Sequence, residues 1–259
     1  MSGRPVAVCV DLPRLELDRP FTYLAPTGAG PGNLVSVPFH GRTVKGWILG
    51  GTDEVPQRVL PVRRVLSAIP LFDERLLSLY RWMAERYVVP LATVIGRAHP
   101  PRVAGEEEGW TMVDPPTEPR PERESVLASY GGGDRLRDAT RDGGGSFLVR
   151  PLPDEEAAVC VEAVGACLAN GRDASVVVPE AEPLPYTARA VAEAFPRSTL
   201  LFVGGDPRER YRAWLDVLSG RYRVVVGTPP AVFAPLRRLG LVWVNREAHP
   251  GHREERAPY

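Results

Sequence analysis

From residue 146 onward, short apolar runs alternate with amphipathic segments, and this alternation constrains the fold more than any other feature of the chain. After an initial run, FLVRPL, and a helical pattern from about 154 to 169, four further apolar runs follow: ASVVVP, STLLFVG, YRVVVG and LGLVWV. Helical segments separate most of them. Because buried parallel strands read as short continuous apolar runs joined by helices, we predict a parallel α/β domain over residues 146–259.

The first hundred residues follow a different pattern. Residues 5–50 contain the strand-like runs VAVCV, FTYL, LVSVPF and TVKGWILGG, which Pro and Gly clusters separate. From Asp73 to Tyr87, apolar residues recur every three or four positions. This spacing predicts a helix capped by Asp73, and a shorter helix through LATVIGRA follows it. We therefore predict a small β-rich domain over residues 1–104.

Residues 105–145 separate these two patterns and have no sustained period of their own. They contain EEE, DPPTEPRPERE and two GGG triplets, which is typical of an acidic, Gly/Pro-rich linker. The net charge of the chain is zero, but residues 1–104 hold thirteen basic against eight acidic residues, and the linker holds five against ten. The basic excess is therefore confined to the first domain.

Composition excludes several classes of protein. No apolar stretch approaches the ~20 residues of a membrane helix, and the amino terminus lacks a signal-peptide pattern. The cysteines Cys9, Cys160 and Cys167 are odd in number and widely spaced, which favours buried thiols over a disulfide framework. We expect a cytoplasmic protein with no membrane partner.

A parallel sheet invites a search for a phosphate-binding loop after its first strand. Such a loop needs glycines for the backbone amides that wrap the phosphates, a lysine for the outer phosphate and a hydroxyl for magnesium. Here the first strand leads into Pro153, Asp154 and Glu155, and the one lysine of the chain, Lys45, lies in the other domain. Carboxylates at a helix start repel a triphosphate, so the loop is degenerate.

The acidic pair that would hold magnesium and orient water is also missing from its expected place. The buried run LVWV continues into Asn245, Arg246 and Glu247. We therefore predict a degenerate nucleotide site and no catalytic residues. His249 and His252, with Glu247 and Glu254, have a spacing that could ligate a metal, but a loop without cysteine is more typical of solvated polar residues, and no metal site is predicted.

Several segments carry a family resemblance. The first domain is similar to the amino-terminal DNA-binding domain of the PriA family, primosomal protein N-prime, and the later segments resemble that family's first helicase lobe. The shortened, helicase-deficient type found in actinobacteria is the most similar. The segments that carry this resemblance are PFTYLAP, VSVPFHGR, TVKGWILG and PLFDERLLSLYRWMAERYVVPLATVIGRAHPP in the first domain, and VVVPE, RYRAWL and VVVGTPPAVFAPLRRLGLVWV in the second.

The resemblance implies a site for the 3′ end of a DNA strand in the first domain. It implies DNA contacts at Phe21, Thr22, Tyr23, Phe39, His40, Gly41 and Arg42. From residue type alone, Arg42, Lys45, Arg58, Arg63 and Arg64 are cations that can neutralise phosphates. The family commonly has an acidic residue where Thr22 stands and a lysine near Leu60, which implies altered end recognition. Judged by residue type alone, Phe21, Tyr23 and Phe39 are more typical of the core of a small barrel than of a DNA-binding surface.

The resemblance also implies function, partners and cofactors. It implies a replication-restart protein that binds branched forks and single-stranded 3′ ends, contacts other primosome proteins and helps to recruit the replicative helicase. Residues 146–259 would then be a degenerate RecA-like lobe that does not bind ATP, and the 105–145 linker would replace most of the family's winged helix. The family's zinc-binding cysteines would follow Tyr259, so this chain would carry no cofactor.

Two alternatives stay open from the sequence. One is an ATP-dependent 3′–5′ helicase that binds nucleotide through residues outside the phosphate-binding loop and the acidic pair. The other is a protein-interaction scaffold with no direct DNA role, which a net charge of zero allows.

Overall fold

The structure is a computed structural model that describes residues 3–118 and 125–253. It divides the chain into two compact units between Glu108 and Gly109. The chain contains both helices and strands. The first unit is β-rich, and the second contains a parallel sheet.

The first unit is built on a six-stranded sheet with the order β5-β2-β1-β4-β3-β6. Strands β1 to β4 each run antiparallel to the neighbours they pair with in this group, and they contain the four strand-like runs that the sequence predicts. The strands are β1 (Arg4–Val10), β2 (Phe21–Ala25), β3 (Leu34–Phe39), β4 (Arg42–Gly51), β5 (Leu60–Pro61) and β6 (Arg64–Val65).

The two edges of this sheet meet, so the sheet closes into a small barrel. β5 and β6 lie at opposite ends of the strand order, yet only Val62 and Arg63 separate them in the chain. The backbone N–H of Val62 donates to the carbonyl of Leu24 in β2 at 2.9 Å, and that of Arg63 donates to the carbonyl of Ser36 in β3 at 2.9 Å. Consecutive residues therefore bond to β2 and to β3, so the short segment that contains β5 and β6 bridges the two outer long strands and satisfies their ladder groups.

Alternate residues of each strand fill the barrel interior, as strand geometry requires. The residues buried there are Val6, Val8, Val10, Tyr23, Ala25, Ala29, Val35, Val37, Ile48 and Val62. At Gly46 the barrel wall is tight, since a Cβ on this residue would lie 2.7 Å from the carbonyl oxygen of Cys9. A side chain at this position would therefore push β1 away from β4.

Two helices pack on the outside of this sheet. α1 (Glu74–Tyr87) is capped by Asp73, whose carboxylate accepts from the backbone N–H of Leu76 at 3.0 Å, as its sequence predicts. α2 (Leu91–Ala98) matches the LATVIGRA segment. Its first N–H, at Leu91, donates to a carboxylate oxygen of Asp18 at 2.8 Å, so a residue distant in sequence supplies the cap that Pro90 lacks.

The second unit contains a four-stranded parallel sheet with the order β10-β7-β9-β8. Helices α4 and α5 cover one face, while α6 and the segment 229–236 pack on the other. The elements are α3 (Gly133–Asp142), α4 (Glu156–Ala169), β7 (Asp173–Val177), α5 (Tyr186–Ala194), β8 (Thr199–Phe202), α6 (Pro207–Ser219), β9 (Val224–Gly227) and β10 (Leu239–Val244). The predicted parallel α/β arrangement is confirmed.

Helix α4 is apolar on nearly every side because it is covered on nearly every side. The sheet and α5 pack on one part of its surface, and α3 packs on another. Its 14 residues fall short of the ~20 that a membrane helix needs. Throughout residues 3–118 and 125–253, no helix combines the length and the apolar character required to cross a bilayer.

Two parts of the second unit differ from the sequence prediction. The segment predicted as a linker contains α3, and Leu127 and Leu136 are buried against α4, because these leucines give an otherwise polar segment one apolar face. Residues 119–124, also in that segment, lie outside the described residues. The predicted strand FLVRPL does not join the sheet: Leu148 is 74% exposed, and Pro151 cannot donate to a strand ladder.

One buried ion pair ties three strand starts together. The guanidinium of Arg223, which precedes β9, donates to Asp173 of β7 at 3.2 Å, and both side chains are almost fully buried. The second carboxylate oxygen of Asp173 accepts from the backbone N–H of Arg238, just before β10, at 2.8 Å. Arg223 also donates to the carbonyls of Leu168 and Arg172. Both carboxylate oxygens of Asp173 therefore have a partner.

We expect Arg223→Ala to lower the free energy of unfolding by about 3 kcal/mol, because it leaves the Asp173 carboxylate buried without its cation. Arg238→Ala is the matched control. It removes an exposed guanidinium but keeps the backbone N–H that bonds Asp173, so it should change stability by less than about 0.5 kcal/mol. Urea denaturation measures both, and equal losses would contradict the assignment.

Candidate nucleic-acid interface and nucleotide pocket

Three aromatic rings meet at one mouth of the barrel. The ring centroids of Phe21 and Phe39 are 5.0 Å apart in an edge-to-face arrangement, and those of Phe39 and His40 are 4.6 Å apart at a similar angle. Phe21 and Phe39 are half-buried against the barrel core, while His40 is exposed. The two phenylalanines are thus compatible with both interpretations of the sequence, as core residues and as DNA contacts. They close the core and still present ring surface to solvent.

The β3–β4 hairpin positions this cluster. Its two turn residues, His40 and Gly41, have φ values of 44° and 77°. Positive φ at both positions belongs to the two-residue turn whose twist matches that of the flanking strands. Phe39 and Arg42 are the ladder pair next to the turn, so the hairpin holds an aromatic ring and a cation side by side at the mouth.

Two of the predicted contact residues do not belong to the ring cluster: Tyr23 points into the core, and Thr22 points away from the rings. Tyr23 is only 4% exposed, and its hydroxyl donates to the carbonyl of Pro38 at 2.9 Å. The same burial raises the pKa of Tyr23 above its ordinary value. The ring is therefore a core residue and not a free stacking surface. Thr22 lies on the outer side of β2, where its hydroxyl donates to the carbonyl of Glu54 at 2.8 Å.

Strand alternation also divides the predicted cations. Val44 pairs with Val37, and both point into the barrel, so Arg42 lies on the interior side of β4 at the mouth and Lys45 on the outer side. Lys45 pairs with Ser36 across the ladder. The structure therefore groups Phe21, Phe39, His40, Gly41 and Arg42 at one mouth and places Lys45 on a different surface.

The sequence reasoning missed Arg19. Its guanidinium carbon lies 5.2 Å from the centroid of the Phe21 ring, in cation–π range, and the side chain is exposed. Arg19 lies in an irregular segment after the 3-10 turn at Leu15–Leu17, where no periodicity indicates direction. Its place two residues before a half-buried aromatic residue is the one signal that could have suggested it.

A second candidate site lies at the start of α4, beside the end of β10. The carboxylate of Glu156 accepts from the side-chain amide of Asn245 at 2.6 Å and from two guanidinium nitrogens of Arg246, each at 3.2 Å. Partial burial acts to raise the pKa of Glu156, but the hydrogen bonds from Arg246 and Asn245 outweigh it, and the net pKa is lowered. The head of this helix therefore carries an internal ion pair.

The other residues of the predicted degenerate nucleotide site surround this pair. Pro153, Asp154 and Glu247 are exposed, and a carboxylate oxygen of Glu155 accepts from the hydroxyl of Tyr130. Pro153, Glu156, Asn245, Arg246 and Glu247 line a groove of about 1100 Å³ between the 144–153 segment and β10, whereas Asp154 and Glu155 do not line it. The groove brings Glu156 and Arg246 together from residues 90 positions apart, which the sequence could not indicate.

The histidines after β10 bond to the backbone. Nδ1 of His249 accepts from the N–H of Gly251 at 3.1 Å, and Nε2 of His252 bonds the carbonyl of Asn245 at 2.8 Å. Glu254, the fourth residue of that spacing, lies outside the described residues. Across residues 3–118 and 125–253, no group of three or more potential ligands is arranged to hold a metal ion. Burial raises the pKa of Cys9 and Cys167 to about 12, so neither is a ready nucleophile.

Comparison with known proteins gives matches that cover both units. Residues 7–100 match the family described as the 3′DNA-binding domain (3′BD) of PriA. Over 254 residues, or 94% of the chain, the sequence is 34% identical to the probable replication restart protein PriA of Mycobacterium tuberculosis, of which it covers 39%. The Mycobacterium leprae protein of that name is 34% identical over 258 residues, and the replication restart protein PriA of Treponema pallidum is 27% identical over 262.

The lengths of these relatives bear on what the similarity means. The chain covers 39% of the Treponema protein and 40% of the Mycobacterium leprae protein, and in both cases the aligned part is 94% of this chain. The similarity therefore extends over both units, while the larger part of each relative has no counterpart here.

We expect Glu156→Gln to lower the free energy of unfolding on the order of 1 kcal/mol at neutral pH, because it removes the charge that Arg246 contacts. Since the pKa of Glu156 is lowered by folding, its contribution is present above the ordinary glutamate pKa of about 4.3 and is lost as the pH falls through the lowered value.

Denaturation midpoints of the wild type and the Gln variant between pH 7 and pH 3 measure this dependence. The difference between them should shrink toward acid. Glu247→Gln, which alters the exposed carboxylate next to Arg246 in the chain, should differ little from wild type throughout. A Glu156→Gln difference that stays constant or grows in acid would refute the ion-pair assignment.

Proposed function

Because the chain is a PriA-like protein, we propose that it is a DNA-binding replication-restart protein whose first unit holds the 3′ end of a strand at a fork. The observation that carries this proposal is the aromatic mouth of the barrel, Phe21 with Phe39 and His40, inside a region matched to a 3′DNA-binding domain. Arg19 and Arg42 flank the rings. Aromatic faces stack bases and cations neutralise phosphates, which are the two contacts that a strand end requires.

The mouth differs from the family pattern in how it would hold the end. The Thr22 hydroxyl is engaged by Glu54, and Leu60 presents an apolar side chain where the family commonly has lysine. We propose that Arg19 and Arg42 supply the cationic character that Leu60 does not. Recognition would then depend on ring surface and guanidinium groups, and less on a carboxylate that accepts from the terminal hydroxyl.

We further propose that the second unit is a degenerate RecA-like lobe that does not hydrolyse ATP. The Glu156–Arg246 pair supports this, because it puts a carboxylate at the helix start where a triphosphate would need free backbone N–H groups. Lys45, the sole lysine, belongs to the first unit. In this proposal the lobe is a platform for primosome proteins, and the complete protein helps to recruit the replicative helicase.

The DNA proposal is tested by fluorescence anisotropy with a fork that carries a free 3′ hydroxyl at the branch. We expect Arg19→Ala and Arg42→Ala each to weaken binding and to reduce the slope of log affinity against log salt by about one. Arg4→Ala is the matched control, since Arg4 pairs with Ala25 at the opposite end of the strand that begins with Phe21.

The same assay separates this proposal from the scaffold alternative. If the wild-type chain gives flat anisotropy at low salt, it has no direct DNA role and the proposal is wrong. If the fork binds but the three arginine variants behave alike, DNA binds elsewhere on the protein.

The nucleotide proposal is tested by thermal denaturation with millimolar Mg-ATP. A ligand that binds only the folded state must raise the melting temperature, so we expect no shift. Arg246→Ala, which frees Glu156 from its partner, should also show none, because no lysine or glycine loop replaces the pair. A reproducible rise with ATP would favour the alternative of a helicase that retains nucleotide binding.

A further inference from the structure

The outer face of the barrel carries a group of cations that the mouth does not use. Residues on β4 alternate between interior and exterior, so Thr43 and Lys45 point outward where Arg42 and Val44 do not. Arg64 of β6 and Arg63 just before it are also exposed. We call the outward set formed by the half-buried Ser36 and Pro38 and the exposed Thr43, Lys45, Arg63 and Arg64 the outer face.

Strand register places these residues in rows. Ser36 of β3 pairs with Lys45 on one side and with Arg64 on the other. Because neighbouring strands lie 4.7–4.9 Å apart, the backbones of Lys45 and Arg64 are about 10 Å apart across the sheet. The guanidinium of Arg63 donates to the hydroxyl of Thr43 at 2.7 Å, which fixes a third cation in the next row.

The charges of the outer face are free for an external anion. Within the described residues, Lys45, Arg63 and Arg64 form no ion pair, although many other arginines of the chain do. The adjoining acidic residue is Asp11, whose backbone N–H donates to the carbonyl of Lys45 at 2.8 Å. Its single charge leaves the face with an excess of two positive charges.

The chemistry of this face fits a duplex better than a single strand. Single-strand binders combine cations with exposed aromatic rings on which bases stack. The nearest outward ring, Trp47, is only 3% exposed, and its neighbour is His99 at the end of α2. The uncovered part of the face offers only cations, hydroxyls and a proline. Such groups contact phosphates and leave paired bases untouched.

The distance to the barrel mouth gives this face a defined place on a fork. Lys45 lies three residues beyond Arg42 on the same strand, or about 10 Å along it. Duplex DNA rises about 3.4 Å per base pair, so this distance spans about three base pairs. A strand end at the mouth would therefore place the first few base pairs of its arm along the outer face.

We propose that the outer face binds the phosphate backbone of the duplex arm whose 3′ end is held at the barrel mouth. This inference rests on the proposed DNA-binding function and adds to it a second, separate contact. The mouth binds the 3′ end, while Lys45, Arg63 and Arg64 contact the phosphates of the duplex arm behind that end. The hydroxyl of Thr43 accepts from Arg63 and keeps its own hydrogen for a phosphate oxygen.

The test compares two DNA probes with the full chain. One is a 20-nucleotide single strand with a free 3′ end, and the other is the same strand annealed to its complement, so that the end lies on a duplex. We expect the double variant Lys45→Gln with Arg64→Gln to bind the duplex about tenfold more weakly at low salt, with a salt slope reduced by about two. Its affinity for the single strand should stay within twofold of wild type.

Two controls accompany this variant. Arg4→Gln with Arg86→Gln removes the same charge from exposed residues of other elements, and both probes should bind it nearly as they bind wild type. Arg42→Gln at the mouth should weaken both probes. Melting temperatures should be alike in all of the variants, because every replaced side chain is exposed.

The outcomes distinguish this inference from the proposed function. If wild type binds neither probe, both fail. If wild type binds both probes and the Lys45 and Arg64 variant binds the duplex equally well, the outer face has no role and the mouth proposal stands. If that variant loses both probes to the same extent, the outer face is part of the end site and a separate arm contact is refuted.

Discussion

The closure of the barrel is the constraint on which the first unit depends. Val62 and Arg63 are adjacent in the chain, and their N–H groups bond to β2 and β3, the outer two of the four long strands. Without these two hydrogen bonds, the bridge from β2 to β3 would be weakened and the sheet would not enclose a barrel interior. With them, strand alternation assigns each side chain to the core, the mouth or the outer face. Strand alternation separates Arg42 from Lys45, and closure makes one of these faces the barrel interior and the other its outside.

The sequence predicted local structure well where a single physical signal was strong. The Asp73 cap, the α2 segment and the four long strands all formed as expected, because each depends on residues within a few positions of one another. Where a residue's partner lies far along the chain, the sequence was insufficient. Arg19 over Phe21, Asp18 at the start of α2 and Arg246 on Glu156 all require the fold before they can be seen.

The second unit illustrates how competing signals mislead. FLVRPL has the composition of a buried strand, but the glycines before it and Pro151 within it weaken its claim to a ladder position, and it lies outside the sheet. The polar, glycine-rich segment before it was predicted as a linker with at most one short helix near residues 125–130, yet it also forms α3, and Leu127 and Leu136 pack it on α4. Average composition was therefore less informative than two well-placed leucines. The domain limits drawn at residues 104 and 145 remain predictions.

The rings at the barrel mouth sit on strands and on a two-residue turn, and this arrangement has a thermodynamic consequence. Their backbone is already fixed by ladder hydrogen bonds and by the φ values of His40 and Gly41. A binding partner need not organise a loop, so little conformational entropy is lost on association. A preorganised surface of this kind discriminates by rejecting what does not fit, because it cannot reshape itself around a poorer match.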